Sequence, residues 1–221
     1  MKQILIGAIA CACFFSACKK SDKTSSEPDT FMTSTPGSTW NYSYKDNNDA
    51  SLNYNYNVTS SNSDTSVNGR TYHKYNVSTG GTEYYNISNH DYYTYASLPA
   101  QLNGTYIENL YLKDNAGTGT SWMQSYNIEY MNVPLTLQTT NTIAATGLTR
   151  NVGGNTYLNV IRVNTSITPP SFPGLNFTSN ISYYYAPQVG MIENNIEIHI
   201  SGLGDPIDID TQTTLESATI L

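Results

Sequence analysis

The chain is 221 residues long, carries a formal net charge of −7, and takes only 12% of its residues from Asp, Glu, Lys and Arg, about half the usual share. With no basic run, that balance excludes nucleic acid and anionic headgroups as partners recognised by charge. All three cysteines fall within the first 18 residues, which excludes a disulfide scaffold, and the length suffices for one large core without one.

Met1-Lys2-Gln3 is a short positive start, and Ile4–Phe15 is a continuous apolar run. The run is too short for a membrane-spanning helix, which needs ~20 apolar residues, and has the length of a signal-peptide core. Phe15-Ser16-Ala17-Cys18 matches a bacterial lipobox except at Phe15, where Leu is usual. Residues 1–17 are therefore read as a lipoprotein signal peptide and Cys18 as the lipid attachment site. The alternative is an ordinary secretory leader that leaves a bare cysteine. Acyl chains contribute ~0.8 kcal/mol per buried CH₂, so two or three of them anchor a protein to the membrane. Lys19, in place of the Asp that retains such proteins at the inner membrane, favours the outer membrane, facing the periplasm or the cell surface. Residues 18–36 read as the lipidated N-terminus and a flexible Ser/Thr/Asp/Lys tether, with Pro28 and Pro36. Residues 37–221 are expected to form one antiparallel β domain.

From Trp40 onward the period is two. Trp40, Tyr42 and Tyr44 alternate with polar residues, as do Leu52, Tyr54, Tyr56 and Val58, with Asp46–Asp49 as a turn between them. Asn68-Gly69 signals a turn before a strand near Tyr72–Val77. Glu83–Ile87 and Tyr92–Ala96 form a second hairpin around residues 88–91. Leu98–Asn109 is the least periodic stretch, a loop or a short helix. Leu110–Lys113, a Gly-rich turn at Asn115–Gly119, Trp122–Met131, Leu135–Thr146 and Tyr157–Val163 follow, the last two around a turn at Asn151–Asn155. After Pro169–Pro173 come Ile181–Tyr185, Met191–Ile200 and Ile207–Ile209. About a dozen short strands at hairpin spacing, without βαβ crossovers, predict an all-β fold. A recurring Tyr-Asn-[Val/Ile] phrase has uneven spacing, unlike a solenoid or propeller.

No motif carries catalysis or a cofactor. His73, His90 and His199 lie in different segments without a metal-spaced partner, and read as surface or satisfied sheet histidines. Asp205, Asp208 and Asp210 form the best acidic cluster; Asp208 and Asp210 share a strand face and are a weak calcium candidate, since calcium needs six or more oxygens, and the alternative is that the two are solvated beside a core-facing Ile207 and Ile209. A glycosidase carboxylate pair meets only in space, so Glu83, Glu108, Glu129, Glu193 and Glu197 stay candidates that nothing in the spacing sorts. Tyrosine is the real surplus, with 19 in the chain. Adjacent tyrosines such as Tyr183-Tyr184-Tyr185 must point to opposite faces of a strand. Trp40, Tyr42, Trp122, Tyr183 and Tyr185 are the candidate ligand-binding residues, offering flat apolar faces with polar edges.

Gly154–Val163 (GNTYLNVIRV), followed by Tyr183–Ile192 (YYYAPQVGMI), resembles Gram-negative envelope lipoproteins of largely unassigned function. In those, a Gly-x-x-Tyr-x-x-Val-like strand precedes an aromatic strand ending in Ala-x-x-Val-Gly-[Met/Leu]-[Ile/Val]. The likeness spans about Trp40–Ile200. It implies a single, strongly curled antiparallel sheet, similar to the half-barrels that carry lipoproteins in the periplasm, and it transfers no catalytic residue. Pro187 and Gly190 interrupt a strand where a bulge or bend would curl the sheet. The expected function is a non-enzymatic envelope lipoprotein without cofactor, binding an apolar or lipid-like ligand in a concave sheet face. The alternatives are a glycan- or protein-binding surface of exposed Tyr and Trp, and a hydrolase whose carboxylates converge unseen.

Overall fold

The protein's architecture comes from a computed structural model that describes residues 30–97, 104, 106–130, 133–169, 174, 176–202 and 206–221. The expected signal peptide over residues 1–17, Cys18, the first part of the expected tether, Leu98–Asn103, most of the Pro169–Pro173 loop and Asp205 lie outside the described residues.

Twelve strands form one antiparallel sheet among the described residues: β1 (Thr39–Asp46), β2 (Tyr54–Val67), β3 (Arg70–Val77), β4 (Thr82–Ser88), β5 (Asp91–Ser97), β6 (Tyr106–Lys113), β7 (Ser121–Tyr130), β8 (Val133–Val152), β9 (Asn155–Thr168), β10 (Asn176–Ala186), β11 (Gly190–Ser201) and β12 (Ile207–Thr219). Their order is β6-β5-β4-β3-β2-β1-β12-β11-β10-β9-β8-β7, so the chain's first and last strands meet in the middle and β6 and β7 are the two edges. Every neighbour except the β1–β12 pair is joined by a hairpin connection.

Tyr and Trp at alternate positions give the sheet one apolar face, and a sheet this wide buries that face by curling on itself. The curl brings β6 and β7 together. They exchange no ladder hydrogen bonds among the described residues, and side chains of β7 and β8 reach across to β6 instead. The Trp122 indole N–H (2.7 Å) and Asn141 Nδ2 (3.1 Å) both donate to the Leu110 carbonyl, and the Tyr126 hydroxyl donates to Asn109 Oδ1 (3.1 Å). The result is a nearly closed barrel. Bulges sharpen the curl at Asn41/Tyr42, Tyr92/Tyr93 and Tyr184/Tyr185.

Several expectations shift. The short helical element is a 3₁₀ turn at Ala50–Leu52, capped by Asp49, so Leu52 belongs to the β1–β2 connection and residues 106–109 belong to β6. Pro187 and Gly190 make the β10–β11 turn, and the bulge falls two residues earlier than Pro187. The tether ends sooner than residue 36. Thr30–Pro36 packs as a strap across one end of the barrel, with Phe31 only 7% exposed against Tyr92, Leu112 and Ile143. Its backbone is held at Thr30 (Gln188 N–H, 2.5 Å), Phe31 (Tyr92 hydroxyl, 2.9 Å) and Thr33 (Tyr75 hydroxyl, 2.8 Å). Those buried partners are tertiary, so a Ser/Thr-rich local composition could not reveal them.

Two packed clusters fill the lower barrel. One joins Trp40, Tyr75, Val160, Ile192 and Leu215; the other joins Phe31, Tyr92, Ile143, Val163 and Tyr185. The β8–β9 hairpin tip is fastened by Arg150, which donates to both oxygens of the buried Glu193 (2.8 and 2.6 Å) and lies 3.7 Å above the Tyr184 ring.

Candidate functional site

Above the strap, the inward-facing side chains stop short of filling the barrel and leave a cavity of about 370 Å³. That lies within the ~300–1,000 Å³ of small-molecule sites. Its base is Met32 of the strap with Val189, Gly190 and Met191 of the β10–β11 turn. Its walls come from alternate residues of nine strands, among them Tyr56 and Val58 of β2, Ile107 and Asn109 of β6, and Ile181 and Tyr183 of β10. Alternation explains the selection: Tyr42 opposes Tyr56, and Tyr183 opposes Val163, so one register carries the aromatics inward around the ring.

Seven tyrosines line this space: Tyr42, Tyr56, Tyr85, Tyr111, Tyr126, Tyr183 and Tyr185. Their rings touch in series, Tyr85–Tyr111 edge-on at 5.9 Å, Tyr111–Tyr185 tilted at 5.5 Å and Tyr183–Tyr185 stacked at 6.2 Å. Such contacts hold flat faces at fixed angles. Hydroxyls are spent on fixing them further: Tyr42 donates to the Met191 carbonyl (2.9 Å), and Tyr85 to Glu83 Oε2 (2.9 Å). Burial raises the hydroxyl pKa of Tyr42, Tyr85, Tyr111 and Tyr185 well above the ordinary tyrosine range. They stay neutral at physiological pH.

Of the residues predicted from sequence, Trp40, Tyr42, Tyr183 and Tyr185 line the cavity together. Trp122 does not; it seals the β6–β7 junction through its indole N–H. Asp208 and Asp210 lie on the outer face with separate partners, Asp208 with His199 across the β11–β12 pair and Asp210 with Asn47 Nδ2 (2.7 Å). Ile207 and Ile209, expected on the core side, continue the inner face beyond the cavity and are 46% and 39% exposed.

Among the described residues the acidic side chains do not converge; the Glu129 side chain lies outside them. Glu108 bonds Arg70 and Tyr72, Glu193 bonds Arg150, and Glu197 accepts from Asn180 Nδ2 (2.9 Å). Burial pushes the Glu193 carboxyl up, but hydrogen bonds from Arg150 and Asn195 outweigh it and hold its pKa below the ordinary range. Among the described side chains of these acids, only that of Glu83 reaches the cavity. Burial pushes its carboxyl above the ordinary range, partly offset by the Tyr85 hydroxyl. Sequence reasoning left Glu83 undistinguished among five acids, although its shared parity with Tyr85 on β4 put it on the inner face.

One constellation has hydrolase connectivity. His73 Nε2 lies 2.9 Å from Ser60 Oγ, and its Nδ1 lies 2.7 Å from Asp64 Oδ1. Ser60, however, is 2% exposed, its hydroxyl donates to the Ser34 carbonyl (3.1 Å), and its N–H is bonded to the Ser38 carbonyl (2.9 Å). Ser60 is thus buried beneath the strap, with its hydroxyl and its N–H both bonded to strap-side carbonyls. The group fastens the strap.

No family model matches this chain, and no curated protein matches it either. Among solved structures, the chain is similar to a candidate lipoprotein from Parabacteroides distasonis, at 13% identity and a TM-score of 0.47, over 86% of this chain and 98% of that one. It is also similar to the hypothetical lipoprotein YmcC from Escherichia coli, at 13% identity and a TM-score of 0.38, over 84% and 86% of the two chains.

Proposed function

We propose that this protein is a non-catalytic envelope lipoprotein, anchored through Cys18 at the outer membrane, that holds a small, largely apolar ligand inside its barrel. One observation carries the reading: a preformed cavity of about 370 Å³ walled by seven tyrosines and by aliphatic side chains, with a single carboxylate among the described residues. At ~30 Å³ for each water in the liquid, that equals the volume of about a dozen waters. An apolar ligand gains from leaving water, and rings already fixed by their neighbours lose little freedom on meeting it. Beyond the cavity, Ile207 and Ile209 offer further apolar surface on the same inner face.

The test is binding of the neutral dye N-phenyl-1-naphthylamine, whose fluorescence rises on leaving water. The wild type should bind it saturably. Ile181→Trp, which projects an indole into the cavity, should lose most of the signal while keeping a cooperative melt. A wild type without saturable binding, or an unchanged Ile181→Trp, would end the proposal. For the anchor, mass spectrometry of the protein from its native host should find diacylglycerol on Cys18.

A further inference from the structure

The cavity's one carboxylate is out of keeping with its walls. Glu83 sits among tyrosines, and no Lys, Arg or His side chain among the described residues lines the space. Its Oε2 accepts from the Tyr85 hydroxyl, and Oε1 has no hydrogen-bond donor among the described residues. Its charge acts on the hydroxyls of Tyr42, Tyr56, Tyr75, Tyr85 and Tyr111. Elsewhere the chain behaves differently: Glu108 and Glu193, on the outer face, each have an arginine at hydrogen-bond distance. A carboxylate turned into a half-buried apolar space without a counter-ion is costly, and a barrel interior has no structural use for one. What such a group lacks is a cation, and what surrounds it is a set of aromatic faces, whose negative quadrupoles attract cations as well.

From this geometry we infer that the cavity's ligand is an organic ammonium bearing an apolar tail, with its charge beside Glu83 among the faces of Tyr42, Tyr56, Tyr85 and Tyr111. The inference rests on the cavity reading above and adds the class of the ligand's head. Two attractions converge at one point, since the carboxylate supplies the opposite charge and the rings supply a second, directional pull that a hydrated sodium ion could not exploit. The tail then runs along Tyr183, Ile181 and Ile167 on the opposite wall. An anionic amphiphile of the same length meets the reverse field. A neutral one gains only the burial of its tail.

The test is displacement of N-phenyl-1-naphthylamine from the purified protein by decyltrimethylammonium, decyl maltoside and decyl sulfate, each below its micelle concentration, at pH 7.5. The ammonium should compete at least tenfold better than the maltoside, and the sulfate should be weakest. In Glu83→Gln, which keeps the shape and the Tyr85 contact, the ammonium's advantage should shrink to within about threefold of the maltoside. Lysophosphatidylcholine distinguishes two sources of the same head: strong competition would make it a lipid headgroup, and weak competition a free amine, because the cavity has no cation to meet a phosphate. Equal displacement by all three decyl compounds from a wild type that still binds the dye would overturn the ammonium inference and leave the cavity reading standing. A cation advantage that persists undiminished in Glu83→Gln would overturn the role of Glu83. Absence of dye binding would overturn both readings. The wild-type ranking decides the matter even if the variant fails to fold.

Discussion

Replacing Phe31 by alanine tests whether the strap belongs to the domain. A flexible tether through residue 36 would make the substitution silent. The structure gives Phe31 a 7% exposed ring, packed with Leu112 and Ile143 and set edge-on to Tyr92 at 6.5 Å. Removing a buried phenylalanine side chain costs about 3–5 kcal/mol. The strap lies at the barrel's end, where neighbours can settle into the gap, so a value of about 3 kcal/mol is expected. For a domain of this size each kcal/mol lowers Tm by roughly 2–4 °C, so the melt should fall by about 6–12 °C. Circular dichroism melts of wild type and Phe31→Ala, with urea titrations to confirm an unchanged m-value, measure it. The cavity should also widen toward its base, because Met32 follows Phe31 in the chain and lines that base. Dye binding should then weaken beyond what lost stability explains. A Tm within about 2 °C of wild type would refute the reasoning and return Phe31 to the tether.

Arg150→Met removes both hydrogen bonds to the buried Glu193 and the stacking on Tyr184, and should cost about 2–4 kcal/mol by urea unfolding, less than a fully buried pair because the Arg150 side chain is 33% exposed. Adding Glu193→Gln should recover part of that loss. Glu193, held below its ordinary pKa, contributes stability that is present above the ordinary glutamate range and lost as pH falls through its depressed value. Glu83 has the opposite sign: its pKa is raised above the ordinary 4.5, so its contribution is full at low pH and lost as pH rises through the folded value. Glu83→Gln should therefore flatten the decline in Tm as pH rises above the ordinary glutamate range, and an unchanged decline would place the carboxylate outside the cavity. Gly153→Ala should destabilise by about 2–4 kcal/mol, since Gly153 has φ +54° and an added Cβ would stand 2.2 Å from the Leu215 carbonyl oxygen; a melt like wild type would refute that contact.

Local chemistry wrote the strands plainly. Trp40, Tyr42 and Tyr44 against Tyr54, Tyr56 and Val58 give a period of two on both sides of a polar turn, and the register pairs these six residues across β1 and β2. Other features depend on residues far apart in the chain, where periodicity has no reach. The β2 strand continues through Ser60–Thr65, a polar run that reads as loop, because β3 pairs with both of its ends. Phe31 stands in a Ser/Thr-rich segment, and only Tyr92, 61 positions later, shows it to be core. The site divides in the same way. Tyr183 and Tyr185 announce themselves as a surplus of aromatic surface, whereas Glu83 gains its meaning only once the other strands have carried the described arginines and lysines away from the cavity.

The junction between β6 and β7 has a mechanical consequence. Every other strand boundary in the ring is stitched by main-chain bonds, while among the described residues this one rests on three donors, two on β7 and Asn141 of β8, reaching Leu110 and Asn109. At about 1 kcal/mol net for each such bond, the clasp is the cheapest line along which the hoop can spring apart. Opening there leaves both partners of every ladder intact. It also bares two raw strand margins that any passing extended segment can adopt, so the same clasp that confines the cavity keeps neighbouring copies from zipping together.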